Sequence, residues 1–435
     1  MPAIALAPPA RTLGDKPPMT QPGIQPHDPA TRAAGPLRGL RVLSIDNYFA
    51  GNYGPLLLAM HGAEVVKIEQ PGSGDPLRTD APYLDPKAKR YAHGEIRLMR
   101  DKKSVALDLR SPAGRQLFYR LVKEADVFWT NLRPGAAQRL GAAPEVLQAL
   151  NPRLVYASLS GFDLPEAGKD SMFGDEPAFD TIIQGLTGLM SRNADPDGTP
   201  IYNGIAVGDQ VASLFAAFGV IAAIHARDRG DPAAVVDVAM FDAMIAVNEK
   251  TFSLYSMDGV VRPPRISATN SPFGAYRGKD GYLVLGVGGA ILWERFCRAI
   301  ERPDLYARED LDAGIKRVAV EATVIRPAVE GWLGRHTVEE AARILLEFQV
   351  PAAPILDIDH PRLRTQATLR GVAAELELPD RKVTVVQSPV RLSTQPVPVP
   401  GRPHELGEDS DAVLRDWLAM PDTELRELRA AGVVG

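Results

Sequence analysis

An alternation of apolar strand-like and helix-like runs constrains this chain more than any other feature. Leu40-Arg41-Val42-Leu43-Ser44-Ile45 reads as a buried strand, followed by a turn containing Gly51 and Gly54 and an apolar helix through Leu56, Leu57, Leu58 and Met60. The helix ends at His61-Gly62, and Glu64-Val65-Val66-Lys67-Ile68 reads as a second strand. Together they span about 30 residues, the size of one parallel strand–helix–strand crossover. The pattern recurs with a strand at Ser104-Val105-Ala106-Leu107, a helix from Pro112 to Glu124 and a strand at 125–129. A helix from Pro144 to Leu150 then leads to another strand, Leu154-Val155-Tyr156-Ala157-Ser158. Near-continuous apolar strands separated by helices predict a parallel sheet with helices on both faces.

Beyond Asp209 the pattern changes. It predicts a long apolar helix over Val211–Ala226, a strand at Val235–Val238 and a helix over Phe241–Tyr255, then a hairpin-like region turning at Lys279-Asp280-Gly281 before Tyr282. Helices are expected over Trp293–Ile300, Ile325–Leu333 and 422–431. At 435 residues the chain exceeds what one hydrophobic core ordinarily supports, so two domains are expected. The first 36 residues carry nine prolines and no periodicity, and read as a disordered extension.

Composition narrows the function class. With 45% hydrophobic and 24% charged residues the chain is globular in type, and its net charge of −5 points to neither nucleic acid nor an anionic membrane as a partner. No uninterrupted run of 18 apolar residues suggests a membrane span. The single cysteine, Cys297, has no partner for an internal disulfide or a CxxC site, which fits a reducing cytoplasm. No phosphate loop, HExxH, GxSxG or GxGxxG occurs, so neither a metal site nor a nicotinamide-binding site is expected. Two carboxylates stand at the entrances to apolar helices: Asp209, after Gly208, and Asp180, in Pro177-Ala178-Phe179-Asp180-Thr181. Taken alone each reads as an N-cap, a role Asp fills well.

Several ordered blocks carry more information than those single residues. Ala63-Glu64-Val65-Val66-Lys67-Ile68-Glu69 with Gly74-Asp75, Lys103-Ser104-Val105-Ala106-Leu107-Asp108-Leu109, Asn131-Leu132-Arg133-Pro134-Gly135 and Ser160-Gly161-Phe162 follow one another at characteristic spacing. So do Asn151 to Ser158, Val236 to Ala243 and Leu406-Gly407-Glu408. From about residue 38 to 435 the chain resembles the class III CoA-transferases, a family that also contains α-methylacyl-CoA racemases. The resemblance implies an α/β fold with a Rossmann-like large domain built from both chain ends, a smaller α+β domain, and an interlocked homodimer. On that pattern, 37–240 form the first part of the large domain, 241–263 a linker helix, 264–335 the small domain, 336–358 a second linker and 359–435 the rest of the large domain.

The resemblance also implies roles. Asp209 falls at the nucleophile position and Asp180 at a second acidic position near it. Tyr48, Ala50, Leu107, Arg110, Asn131, Leu132 and Arg139 match positions that contact CoA, and Asn47 and Phe49 belong to the active-site turn. The implied reaction moves CoA between an acyl-CoA and a free carboxylic acid through an aspartyl anhydride and an aspartyl-CoA thioester, with CoA as substrate and product and no resident cofactor. A low pKa is expected for the nucleophile, because a helix N-terminus favours the ionised form. The racemase branch commonly places a His before the Asp180 position, where this chain has Phe179, and no His occurs between His93 and His225. A non-catalytic acyl-CoA-binding protein is the other alternative. Phe49 stands where formyl-CoA transferases carry Gln, and 268–273 lack those enzymes' run of glycines, so an acyl group larger than formate is expected. Gln70 replaces an Arg that contacts the CoA nucleotide in some relatives.

Overall fold

The computed structural model describes residues 35–163, 172–173, 176–195, 197–262, 264, 269–379, 381–395 and 399–435. All but the last two residues of the expected extension, and Ala268, lie outside the described residues.

In chain order the large sheet region comprises β1 (Arg41–Ile45), α1 (Tyr48–Met60), β2 (Glu64–Glu69), a short hairpin of β3 (Tyr83–Asp85) and β4 (Arg90–Ala92), and β5 (Lys103–Ala106). It continues with α2 (Pro112–Glu124), β6 (Val127–Thr130), α3 (Pro134–Arg139), α4 (Pro144–Leu150), β7 (Val155–Ser160), α5 (Asp180–Leu186), α6 (Leu189–Arg192), α7 (Val207–Asp228) and β8 (Val235–Ala239). The expected parallel sheet is present: six strands in the order β5-β2-β1-β6-β7-β8, every neighbouring pair parallel. Residues alternate between its faces, as the two-residue period of a strand requires. Leu43, Ile45, Phe128 and Tyr156 pack under α2, whose Leu117, Phe118, Leu121 and Val122 are buried. Val42, Val127, Trp129 and Val155 face α1 and α7 on the other side.

The predicted turn at Gly51 and Gly54 is instead the opening of α1. Glycine is needed there for close packing, since a Cβ on Gly51 would lie 2.4 Å from Asn131 Oδ1. The long apolar helix begins one turn earlier than expected, at Val207, which brings Asp209 into its first turn. The single helix predicted over 241–255 is two, α8 (Met240–Val247) and α9 (Glu249–Asp258), broken at Asn248, whose side chain donates to the Thr187 carbonyl at 2.8 Å.

A second core forms around an antiparallel sheet of β9 (Phe273–Arg277), β10 (Tyr282–Gly286) and β11 (Ala352–Pro354), in the order β11-β10-β9. Helices α10 (Gly289–Ala299), α11 (Pro303–Tyr306), α12 (Gly314–Ala319), α13 (Arg326–Leu333) and α14 (Val338–Glu347) surround it. This corrects the expected boundary at 335 and the linker at 336–358. Ala341, Leu345 and Val350 are buried with Trp293, Phe296 and Trp332 in the same core, and β11 closes the sheet. The chain then forms α15 (Pro361–Leu369), the hairpin β12 (Ala373–Leu378) and β13 (Arg381–Val386), α16 (Ser410–Leu418) and α17 (Asp422–Ala430). Val413, Trp417 and Leu425 return to the core under α2. The outer edge of β5 is closed by the same returning segment: Asp409 N–H donates to Ser104 O at 3.0 Å and Gly435 N–H to Ala106 O at 3.0 Å.

Candidate active site

The strand order makes the chain run outward from β1 to β2 and β5, then cross back to β6, β7 and β8. In open parallel sheets ligands sit at the carboxyl ends of the strands where the order reverses. Here that point lies between β1 and β6. The turn after β1 carries Asn47 and Tyr48, the turn after β6 carries Asn131 and Leu132, and the two are tied together. Asn47 N–H donates to Asn131 Oδ1 at 2.9 Å, and Asn131 Nδ2 donates to Asn47 O at 2.9 Å. A cleft of about 350 Å³ opens beside them, lined by Asn47, Tyr48, Leu107, Arg110 and Leu132. Ala50 faces the opposite core instead, with its carbonyl accepting from Ser213 Oγ at 2.7 Å. Arg139 is exposed at the end of α3, adjacent to the cleft-lining Leu140.

Tyr48 adopts a left-handed conformation at φ 57°, which a non-glycine residue keeps only where its surroundings hold it. A buried polar cluster holds it. Asn52 Nδ2 donates to Tyr48 O at 2.8 Å and to Asp75 Oδ2 at 2.7 Å, while Asp75 Oδ1 accepts from Leu77 N–H at 2.9 Å. Beneath them Lys67, 1% exposed, donates to Asp75 Oδ2 at 2.8 Å and pairs with Asp46. Burial alone would lower the Lys67 pKa, but the charges of Asp46, Asp75 and Glu69 outweigh it and raise it. For Lys102, donating to Asn52 Oδ1 at 2.7 Å, the same carboxylates do not outweigh burial; burial, opposed by Asp46 and reinforced by Lys67, pushes it down to about 7. This cluster was missed as a unit in the sequence, although a lysine at the centre of the apolar strand Glu64–Glu69 was the available signal.

The two carboxylates do meet. Asp180 caps not its own helix but α7: its Oδ1 accepts from the Gly208 N–H at 2.6 Å and from the Asp209 N–H at 3.3 Å. Its Oδ2 accepts from Gln184 Nε2 at 2.6 Å and from the Tyr202 hydroxyl at 3.4 Å. Gly208 permits this approach, since a Cβ there would lie 2.9 Å from Asp180 Oδ1. Asp209 is therefore no N-cap, and the helix N–H groups expected to steady its charge serve Asp180. The expected low pKa is corrected accordingly. Burial and then the Asp180 charge push the Asp209 carboxyl up to about 7, with Arg97 acting in the opposite direction. No described residue donates a hydrogen bond to the Asp209 carboxylate, so its lone pairs are free.

Phe179 stacks edge-on against Tyr48 with ring centroids 5.9 Å apart, linking the first turn to the Asp180 helix. Past Tyr202 lies a larger cavity of about 790 Å³ between α1, the 95–99 turn, the 202–206 loop and β13. Phe49 lines it, with Arg97 over its ring at 4.9 Å. Phe273 lines neither cavity. Arg97, Tyr202 and Gln184 went unnoticed in the sequence; nothing local to them marks a site.

Comparison with known proteins agrees with this architecture. The family described as CoA-transferase family III matches residues 37–410. The chain is 35% identical over 390 residues to a succinyl-CoA:mesaconate CoA-transferase of Haloarcula hispanica, covering 88% of this chain and 96% of that one. It is 30% identical to an acetyl-CoA:oxalate CoA-transferase of Acetobacter aceti, over 90% of this chain and 97% of that protein. A CAIB/BAIF family protein from Brucella suis superposes with a TM-score of 0.73 at 26% identity, covering 88% of this chain and 99% of its own. Sequence and fold thus agree over nearly all of the described chain, which belongs to CoA-transferase family III.

Proposed function

We propose that this enzyme moves CoA between dicarboxylic acids, with Asp209 as the covalent carrier. The observation that carries the proposal is the Asp209 carboxylate itself, partly buried next in sequence to Gln210 of the large cavity, with no hydrogen-bond donor among the described residues on its oxygens. It attacks the thioester carbonyl, the C–S bond breaks, and CoA leaves as thiolate from a mixed anhydride. The thiolate then attacks the aspartyl carbonyl, releasing the donor acid and leaving an aspartyl-CoA thioester. An incoming carboxylate attacks that thioester in turn and expels the thiolate, which takes the acyl group from the new anhydride and frees Asp209. Two exchanges at one carboxylate replace a single difficult one. Tyr48, Leu107, Leu132 and Asn131 frame CoA in the smaller cleft, and Arg110 and Arg139 meet its phosphates. The dicarboxylate class is supported by relatives named for succinyl-CoA with mesaconate, L-malate or D-citramalate. Mass spectrometry after incubation with succinyl-CoA and hydroxylamine tests the carrier role: the expected product is a hydroxamate on the Asp209 peptide, and an unmodified peptide under turnover conditions rejects it.

Only the ionised carboxylate is a nucleophile. The groups that face it are Asp180, whose charge raises its pKa, Arg97, whose charge lowers it, and the Tyr202 hydroxyl. The rate of anhydride formation is therefore expected to rise with pH through about 7 with unit slope and then level off. A single-turnover profile that is flat from pH 5.5 to 8.5 would contradict this assignment.

We also infer that the working form is an interlocked homodimer. Along α7 the large apolar residues Leu214, Phe215, Phe218 and Ile221 are exposed, Phe218 by 71%, and α9 adds Phe252 and Tyr255. The helix is apolar enough over 22 residues to cross a membrane by length and composition, yet its other side packs Ala212, Ala216 and Val220 against the sheet. A second copy covering the outward face accounts for both. Sedimentation at nanomolar concentration is expected to show dimer alone; a folded monomer would refute it.

A further inference from the structure

Among the described residues lining the large cavity, Arg97 is the one permanently charged side chain; His93 lines it too, and the rest are apolar, aromatic or uncharged polar. Its guanidinium lies 4.9 Å from the centroid of the Phe49 ring and makes no hydrogen bond or ion pair with any described residue. Other arginines of this region are committed: Arg78 is held by Glu69 and Glu95, and Arg90 by Glu405. Arg97 is exposed to the cavity and rests against the Phe49 ring, which leaves its planar fork free, and that fork matches a carboxylate in bidentate fashion. Among the described residues, the carboxylates of Asp80 and Asp209 act on it through space.

The reaction changes that balance. Once Asp209 is acylated or carries CoA it is uncharged, and Arg97 then faces the cavity with one of its two counter-charges gone. An anion on the substrate restores neutrality at that moment. We propose that Arg97 is the specificity-determining residue that binds the far carboxylate of a dicarboxylic acyl group while the near carboxyl reacts at Asp209. This inference rests on the reading of Asp209 as carrier. It explains how one cavity wall selects acids with two carboxylates over monocarboxylic acids of equal length, since an uncharged chain end leaves the guanidinium unpaired.

The test uses identity exchange on the full-length enzyme, which needs no knowledge of the physiological partner. Labelled succinate is exchanged into succinyl-CoA, and labelled butyrate into butyryl-CoA, which has the same chain length and no second carboxylate. The readout is the ratio of the two kcat/KM values. Arg97→Met is expected to lower the succinyl-to-butyryl ratio roughly 10- to 100-fold, the loss of one charge-assisted hydrogen-bonded pair. Arg97→Lys is expected to recover part of it. Should the Met variant fail to fold, Arg97→Gln gives the same comparison with a polar side chain. A ratio unchanged in the variants, or a wild-type enzyme that prefers butyryl-CoA, overturns the proposal. Asp209→Asn separates the two readings. If it still exchanges label, the carrier assignment fails; if it is inactive while the Arg97 variants keep the wild-type ratio, only the role of Arg97 fails.

Discussion

Asp209→Asn is expected to lower CoA transfer by at least about 1,000-fold, the scale of losing a covalent nucleophile, while leaving a folded protein that still binds CoA. The same substitution is expected to raise thermal stability at pH 8. The Asp209 carboxyl titrates near 7 in the folded chain against 3.8 for an ordinary aspartate. Between those values the folded state binds more protons than the unfolded state, so stability falls as pH rises through that window and the loss is complete above it. Asparagine carries no such cost. The melting-temperature difference between variant and wild type should therefore be a few degrees at pH 8 and smaller at pH 4.5, read by differential scanning calorimetry at both pH values. A variant less stable than wild type at pH 8 would show that the Asp209 charge is compensated by groups other than Arg97. More than a few per cent residual transfer would remove Asp209 from the role of carrier.

The second large effect concerns Lys67. Its ammonium is buried between Asp46 and Asp75, and removing it takes away the one ion-pair partner of either carboxylate among the described residues, while Glu69 keeps Arg78. Lys67→Met is expected to cost about 3–5 kcal/mol, the range found when one partner of a buried ion pair is deleted. Urea unfolding at pH 7.5 measures it. Because the cluster also holds Tyr48 in its left-handed conformation, the KM for acyl-CoA should rise in whatever fraction remains folded. A loss below about 1 kcal/mol would mean that water enters the cluster and screens the remaining carboxylates.

Most of the large sheet could be read from the sequence because its strands are apolar runs buried on both faces, and α2 and α4 begin and end where their prolines and apolar spacing indicate. The start of α7 could not. Its cap is the Asp180 carboxylate, 29 residues upstream of Asp209 and delivered by the fold, whereas capping rules consult only neighbouring residues. The small domain was cut short for a different reason. A local signal existed, since Thr337 and Glu340 form a capping box at the start of α14, but β11 is three residues long and has no periodicity to recognise. The carboxylate pair was legible only through ordered sequence blocks. Arg97 was not legible at all, because a lone arginine in the Glu95–Met99 turn gains meaning only when β13 and the 202–206 loop close a cavity around it.

The closure of β5 by residues 404–435 has a consequence for synthesis. Backbone groups of Ser104, Ala106 and Asp108 find their partners in Asp409, Gly435 and Val433. A ribosome adding about 5–20 residues per second needs roughly 15 to 65 seconds to travel from Ala106 to Gly435. Throughout that interval the nascent sheet presents an unpaired, apolar strand edge, the kind of template on which chains stick to one another. Cellular yield should therefore depend on elongation speed and chaperone supply more strongly than equilibrium stability alone suggests, and truncations that remove the last few residues should accumulate as aggregates rather than as folded, inactive enzyme.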